Sequence, residues 1–241
     1  MPRSRRTVAR TIPIALSILF AGALQPAHAA PPSAIDELDR LVKARAQESS
    51  DPGVLVNMSE LYLDLGQEGY TDATQRRAAF DEGARIAKRA LDLQEANADA
   101  HYLYAANLGS AAQLKGRTAS ALIVRELKMH VTRALELQKD HAPALHMMGR
   151  MLDELPWILG GDAEAALRYP KQAVQADPRY EHARLDLAKA YLKRHDVAAA
   201  RLELHTLLES APASHHGAVS RYQTEGRTLL GSLQKREMRQ P

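Results

Sequence analysis

The chain has 241 residues, with 32 Lys and Arg against 29 Asp and Glu, no Cys, two Phe and one Trp. Without thiols it can form no disulfide, thiolate metal site or Cys nucleophile, so in an oxidising compartment helix packing alone must stabilise it. Residues 1–29 hold four Arg and no acid, which leaves 28 basic residues against 29 acidic ones in the remainder. That near-neutral balance gives no hint of nucleic acid or anionic membrane as partner.

The first element is a three-part export signal. Arg3, Arg5, Arg6 and Arg10 precede an uncharged stretch from Thr11 to Leu24, and Ala27-His28-Ala29 supplies small residues for a signal peptidase. Cleavage after Ala29 is the expectation, giving a soluble periplasmic protein; the alternative is an uncleaved inner-membrane anchor. Ser4-Arg5-Arg6-Thr7-Val8 resembles a twin-arginine signal, but no cofactor motif follows, which favours the general secretory route.

Residues 30–50 predict an amphipathic helix. Ser33 and Asp36 are spaced as a capping box before Ile35, Leu38, Leu41 and Val42. Residues 51–213 then predict about four helix pairs of the tetratricopeptide (TPR) kind, in which a small residue opens the second helix and Pro closes it. The first pair joins Leu55, Met58-Ser59 and Tyr62 to Ala87, Ala90 and Leu91. The second joins Tyr104-Ala105 and Leu108 to Ala134-Leu135 and Leu137. The third joins Leu145, Met148-Gly149 and Leu152 to Ala166 and Ala173. The fourth joins Leu187-Ala188 and Tyr191 to Ala200, Leu204 and Leu207, closing at Pro212.

The spacing supports this register. Ala90 to Tyr104, Ala134 to Met148 and Ala173 to Leu187 are each 14 residues, whereas the first-helix markers 58, 104, 148 and 187 are 46, 44 and 39 apart. Extra residues therefore fall between the two helices of a repeat, where a connection can grow without disturbing the contact between neighbouring repeats. They read as loops at Gly66–Asp72, Gly109–Thr118 and Leu155–Asp162. Asp162 is the expected N-cap of the next helix. Trp157 either plugs the gap between two helices or lines a ligand-facing edge. Pro170, inside the third pair's second helix, predicts a kink near Ala166–Pro170. Residues 214–241, with Ala218-Val219, Tyr222, Leu229-Leu230 and Leu233, predict a capping helix and tail. The fold class is thus an all-α TPR-like solenoid, a right-handed superhelix of antiparallel pairs with flanking helices.

Residues 101–212 resemble the regulator of microtubule dynamics family and its bacterial relatives. The likeness lies in His101-Tyr102-Leu103-Tyr104-Ala105, Lys128, Ala134-Leu135-Glu136-Leu137, Ala144-Leu145-His146 with Gly149-Arg150, Leu155-Pro156-Trp157, Ala173-Val174, Asp177-Pro178 and Leu187-Ala188-Lys189 with Tyr191. Gly160-Gly161-Asp162 is also similar to the TPR accessory (T component) of TRAP solute transporters. Both resemblances imply helical-repeat binding modules and carry over no catalytic residues.

No zinc-protease pair, Gly-rich phosphate loop or nucleophile elbow is present, and Lys115-Gly116-Arg117-Thr118 lacks the upstream glycines of a phosphate loop. The nine His beyond the signal read as surface or capping residues, with His215-His216 able to pick up metal adventitiously, so neither a resident metal nor a cofactor is expected. A TPR solenoid binds on the concave face lined by first helices. There the register places Tyr102, His146, Arg150, His182 and Lys189, with Lys193 beyond them and Trp157 at an edge. The expected function is an exported, non-catalytic scaffold that holds a protein or peptide in this groove. The alternative is a transporter accessory that binds a small carboxylate solute.

Overall fold

The computed structural model describes residues 33–209 and 221–237. The expected export signal, Pro212 and the His215-His216 pair lie outside them. Among the described residues there are ten α-helices and no strand: α1 Ala34–Lys43, α2 Pro52–Asp64, α3 Ala73–Leu93, α4 Ala98–Lys115, α5 Arg117–Leu137, α6 Ala142–Glu154, α7 Ala165–Ala176, α8 Glu181–Lys193, α9 Val197–Glu209 and α10 Arg221–Glu237. They form a TPR solenoid, with α2/α3, α4/α5, α6/α7 and α8/α9 as helix pairs, α1 before them and α10 packed on α8 and α9. No described helix is long and apolar enough to cross a membrane.

Local sequence sets the helix starts. Ser33 and Asp36 form the reciprocal capping box, Asp51 caps α2 with Pro52 at its first position, Asp72 caps α3, and Asn97 caps α4. Each side-chain oxygen satisfies an amide that has no partner inside its helix. At α6 the cap is His141, whose Nδ1 accepts from the Ala144 amide at 3.1 Å while Nε2 meets Asp99 of α4 at 2.9 Å.

Between helices the contact lines are built from Ala and Leu. Leu55, Met58, Ile86 and Ala90 close the first pair, Ala105, Val131, Ala134 and Met148 join the second to the third, and Leu185, Leu204, Leu207 and Leu230 seal the far end. The Ala residues let axes approach closely, and each buried Leu or Met contributes roughly 1.5–3 kcal/mol. One polar knot crosses the first three helices of the repeats. The Ser59 hydroxyl donates to the Gly83 carbonyl at 2.9 Å, and Asn107 Nδ2 donates to the carbonyls of Ser59 and Leu103.

Two expected loops are largely helical. In the first repeat α2 continues into a π-turn, Leu65–Gly69, before α3 begins at Ala73. In the second, α4 runs through Gly109-Ser110 to Lys115, and only Gly116 separates it from α5. Ala111, Ala112, Gln113, Leu114 and Lys115 are strong helix formers, and this outweighs the flanking glycines. Gly116 adopts φ 109°, ψ 178°, a conformation essentially restricted to Gly, which makes the Lys115-Gly116-Arg117-Thr118 stretch a helix break. The third insertion is irregular, with a 3-10 turn at Trp157–Leu159.

Asp162 accepts from the Glu164 and Ala165 amides at 2.9 and 3.0 Å at the head of α7. The helix then runs unbroken from Ala165 to Ala176 through Pro170. Pro170 falls one turn from the helix start, so the carbonyl it leaves without a partner is that of Ala166 in the first turn.

Candidate ligand-binding cavity in the concave face

The first helix of every pair contributes to one concave wall. A cavity of about 650 Å³ lies against it, reached by α2, α4, α5, α6, α8 and the start of α10. Leu63, Leu103, Ile123, Val124, Leu127 and Met147 provide its apolar surface, and polar groups form two clusters that meet at Tyr222. A second hollow of about 380 Å³ adjoins it beyond His146, His182, Arg150 and Tyr222, which line both.

One polar cluster is acidic. Glu60, Asp64 and Glu68 follow at intervals of four along α2 and the π-turn, so their side chains share a face. The Asp64 side chain opens to solvent on the residue scale, yet its carboxyl stands inside the groove. Desolvation there, followed by the charges of Glu60 and Glu68, pushes its pKa up to about 7.

The other cluster carries aromatic rings and imidazoles. His146 of α6 is buried, and its Nε2 lies 2.9 Å from Asp186 Oδ2 on α8. His182 precedes Asp186 by one helical turn. Its ring packs on that of His146 with centroids 4.3 Å apart and stacks on Tyr222 of α10 at 4.4 Å. The Tyr222 hydroxyl is 3.2 Å from His182 Nδ1. Tyr102 and Tyr180 meet through their hydroxyls beside this group, and burial raises both phenols above the ordinary range.

The electrostatics follow from burial. Desolvation lowers the His146 and His182 pKa values, most strongly for His182, where the adjoining His146 adds to the effect. Both imidazoles are therefore neutral at pH 7. Burial alone would raise the Asp186 carboxyl. The His146 hydrogen bond and the neighbouring positive charges outweigh it and hold the group well below the usual carboxylate range. The surrounding cations each have a carboxylate of their own: Arg150 with Glu154 at 2.9 Å, Lys189 with Glu225 at 2.9 Å, Lys193 with Asp153 at 2.6 Å and Arg221 with Glu68 at 3.6 Å.

The structure brings together most of the residues the sequence places on the groove. Tyr102, His146, Arg150 and His182 line the main cavity, and Lys189 and Lys193 line the adjoining hollow. Trp157 does neither: it is 84% exposed on its 3-10 turn and outside both linings. The core-plug reading fails because an indole this exposed fills no gap between helices. The expectation of surface or capping imidazoles holds for His141, which caps α6, but not for His146 or His101, which are buried. Sequence reasoning missed Asp186, Tyr180, Tyr222 and the acidic triplet. Asp186 was detectable, because it stands four residues after His182 and so shares its face.

A cavity built from the first helices of stacked pairs defines a TPR-type scaffold, and comparison with known proteins agrees. Residues 158–221 match the tetratricopeptide repeat model, and the structure superposes on a thermophilic TPR protein of Thermus thermophilus with a TM-score of 0.60. That superposition covers 83% of this chain and 89% of the other at 16% identity, a likeness of fold. Residues 30–154 match the model for regulator of microtubule dynamics proteins 1–3. Regulator of microtubule dynamics protein 1 of Bos taurus is 31% identical over 80% of this chain and 66% of its own length; that of Pongo abelii is 30% identical over 83% and 69%. The chain belongs to the regulator of microtubule dynamics family and spans about two thirds of the length of these relatives.

Proposed function

We propose that this protein is an exported, non-catalytic scaffold that holds a segment of a protein partner in its concave cavity. The observation that carries the reading is the cavity itself. Every helix pair contributes to one apolar space of about 650 Å³ with a few polar groups on its wall, the form of a site that buries apolar side chains and orients them with a few polar contacts. Support for export comes from the arginine-rich start, the uncharged stretch to Leu24 and the Ala27-His28-Ala29 site. A chain exported in this way would not meet cytoplasmic microtubules, so the relatives' name describes their role and not this one.

The test is to fill the cavity. Val124→Trp or Ala106→Trp places an indole in the space while leaving the outer surfaces untouched. A partner recovered from envelope extract with the wild-type chain and lost with both variants supports the reading. A partner retained by both would place binding elsewhere.

A second reading, a carboxylate solute held for a transporter, is favoured by one contact. Arg221 and Tyr222 at the start of α10 approach Gln67 and Glu68 of the π-turn, 154 residues earlier in the chain, bridging the groove beside its acidic cluster. A bridged groove suits a compact ligand better than a long peptide. Organic acids that raise the melting temperature of the wild-type chain but not of Ala106→Trp would favour it, and no shift with any of them would count against it.

A further inference from the structure

Beyond the groove's role in binding a partner, we propose that His146, His182 and Asp186 form a site for a divalent transition-metal ion of the zinc class. One ligand atom from each residue can be chosen so that all three lie within 4.8 Å of one another. The set comes from two helices of neighbouring repeats. His182 and Asp186, one turn apart on α8, present their heads side by side, and His146 reaches them from α6.

Three observations carry the assignment. The first is spacing. Ligands about 2.1 Å from one metal ion stand about 3.0–3.4 Å apart in octahedral or tetrahedral geometry. His146 Nε2 and Asp186 Oδ2 are already 2.9 Å apart, sharing a proton on the line between them. An ion can replace that proton if the His146 proton moves to Nδ1, and the two groups need separate by only a few tenths of an ångström.

The second is the donor set. Two imidazoles and one carboxylate are ligands such an ion takes, and the His146 and His182 rings already lie with centroids 4.3 Å apart. Opposing charge is matched locally. Arg150 Nε and Lys189 Nζ stand 3.9 and 3.6 Å from Asp186, but each also contacts another carboxylate, of Glu154 and Glu225 respectively. The carboxylate of Asp186 is therefore the charge left for an ion.

The third is orientation and access. Tyr222, whose hydroxyl lies 3.2 Å from His182 Nδ1, holds that ring in place. Such outer partners are the usual means of holding a metal-binding imidazole in one tautomer. Both hollows border His146 and His182, so the remaining coordination positions are open to water or to a carboxylate from a ligand in the cavity. Three protein ligands with open positions are the arrangement of an accessible site rather than a closed structural one.

The experiment is titration of the chelator-treated full chain with Zn²⁺ alone, followed by calorimetry and by thermal melting. Co²⁺ in its place reports coordination through its visible absorption. Four variants accompany the wild type: His182→Ala, Asp186→Asn, Tyr222→Phe and the double variant His215→Ala/His216→Ala. Circular dichroism establishes that each is folded. Because Asp186→Asn preserves shape, it keeps the test open even if an imidazole deletion unfolds the chain. The expected result is binding near one ion per chain, abolished in His182→Ala and Asp186→Asn, weakened by about tenfold or more in Tyr222→Phe, and unchanged in the His215/His216 variant. Absence of Zn²⁺ binding to the wild type would overturn the proposal. So would binding that survives Asp186→Asn, or binding lost with the His215/His216 pair, which would mark an adventitious ion only.

Discussion

At the residue scale, the cavity holds titratable groups whose burial acts in opposite directions. His146 and His182 have depressed pKa values, so the unfolded chain binds more protons than the folded one once pH drops below about 6.5. Their neutral burial is tolerated above that value, and stability falls as the medium becomes acidic. His182→Phe retains a ring against Tyr222 and removes the proton site. Its denaturant midpoint should therefore decline less than that of the wild type between pH 7 and 5. Asp64 has the opposite sign. With its pKa raised to about 7 from 3.8, the folded chain holds a proton there that the unfolded chain has lost, so this contribution is present at low pH and disappears as pH rises through about 7. Asp64→Asn should be more stable than the wild type at pH 8, with the difference vanishing toward pH 4. Chemical melts across this pH range check both expectations, and an Asp64→Asn difference independent of pH would refute the second.

At the element scale, two glycines act for different reasons. A Cβ at Gly83 of α3 would stand 2.5 Å from Asn107 Oδ1, inside the knot that ties α2, α3 and α4. Gly83→Ala must displace Asn107 from its two carbonyl acceptors and should cost about 1–3 kcal/mol through overpacking. A Cβ at Gly116 meets nothing within 4 Å, yet the backbone there has φ 109°. Gly116→Ala should also cost about 1–3 kcal/mol, through backbone strain alone. Urea unfolding measures each. The distinction appears in a second substitution, because Asn107→Ala should lessen the Gly83→Ala penalty and leave the Gly116→Ala penalty unchanged. The same elements mark what could be read from sequence. Constant spacing between repeats gave the pairs, because inter-repeat packing fixes it. The end of α4 was hidden because Gly109 and Gly116 bracket its helix formers and resemble loop ends, whereas the chain has a single break at Gly116. Trp157 was ambiguous for another reason: hydrophobicity alone does not say which way a 3-10 turn points a side chain.

At the scale of the whole molecule, four helix pairs turn their first helices to one space and α10 reaches back toward the first repeat. Arg150 of the third pair and Lys189 of the fourth hold equivalent register positions, 39 residues apart like the markers Met148 and Leu187, and His146 and His182 stand four and seven residues before them on the same helix faces, so helical periodicity could place all four on the groove. Tyr222 could not, since it enters from a capping helix whose register is independent of the repeat. Its contacts, and those of Arg221 with the π-turn, depend on how the solenoid curves, which is a property of the assembled stack. Arg221→Glu would set a like charge against Glu68 and should loosen this bridge. Amide exchange at the start of α10 and in Leu65–Gly69 should then accelerate together, while α5 and α9 remain protected. Faster exchange at α10 alone would mean that the bridge does not couple the two ends.

The most direct test of the central claim, that the concave cavity is where this scaffold holds its partner, is photo-crosslinking in intact cells from a reactive residue placed at Ile123 on the cavity wall and, separately, at Leu202. The latter is 67% exposed on α9 and outside the linings of both hollows. The account predicts a discrete adduct from Ile123 that Ala106→Trp abolishes, and none from Leu202. An adduct from Leu202 with none from Ile123 would contradict it.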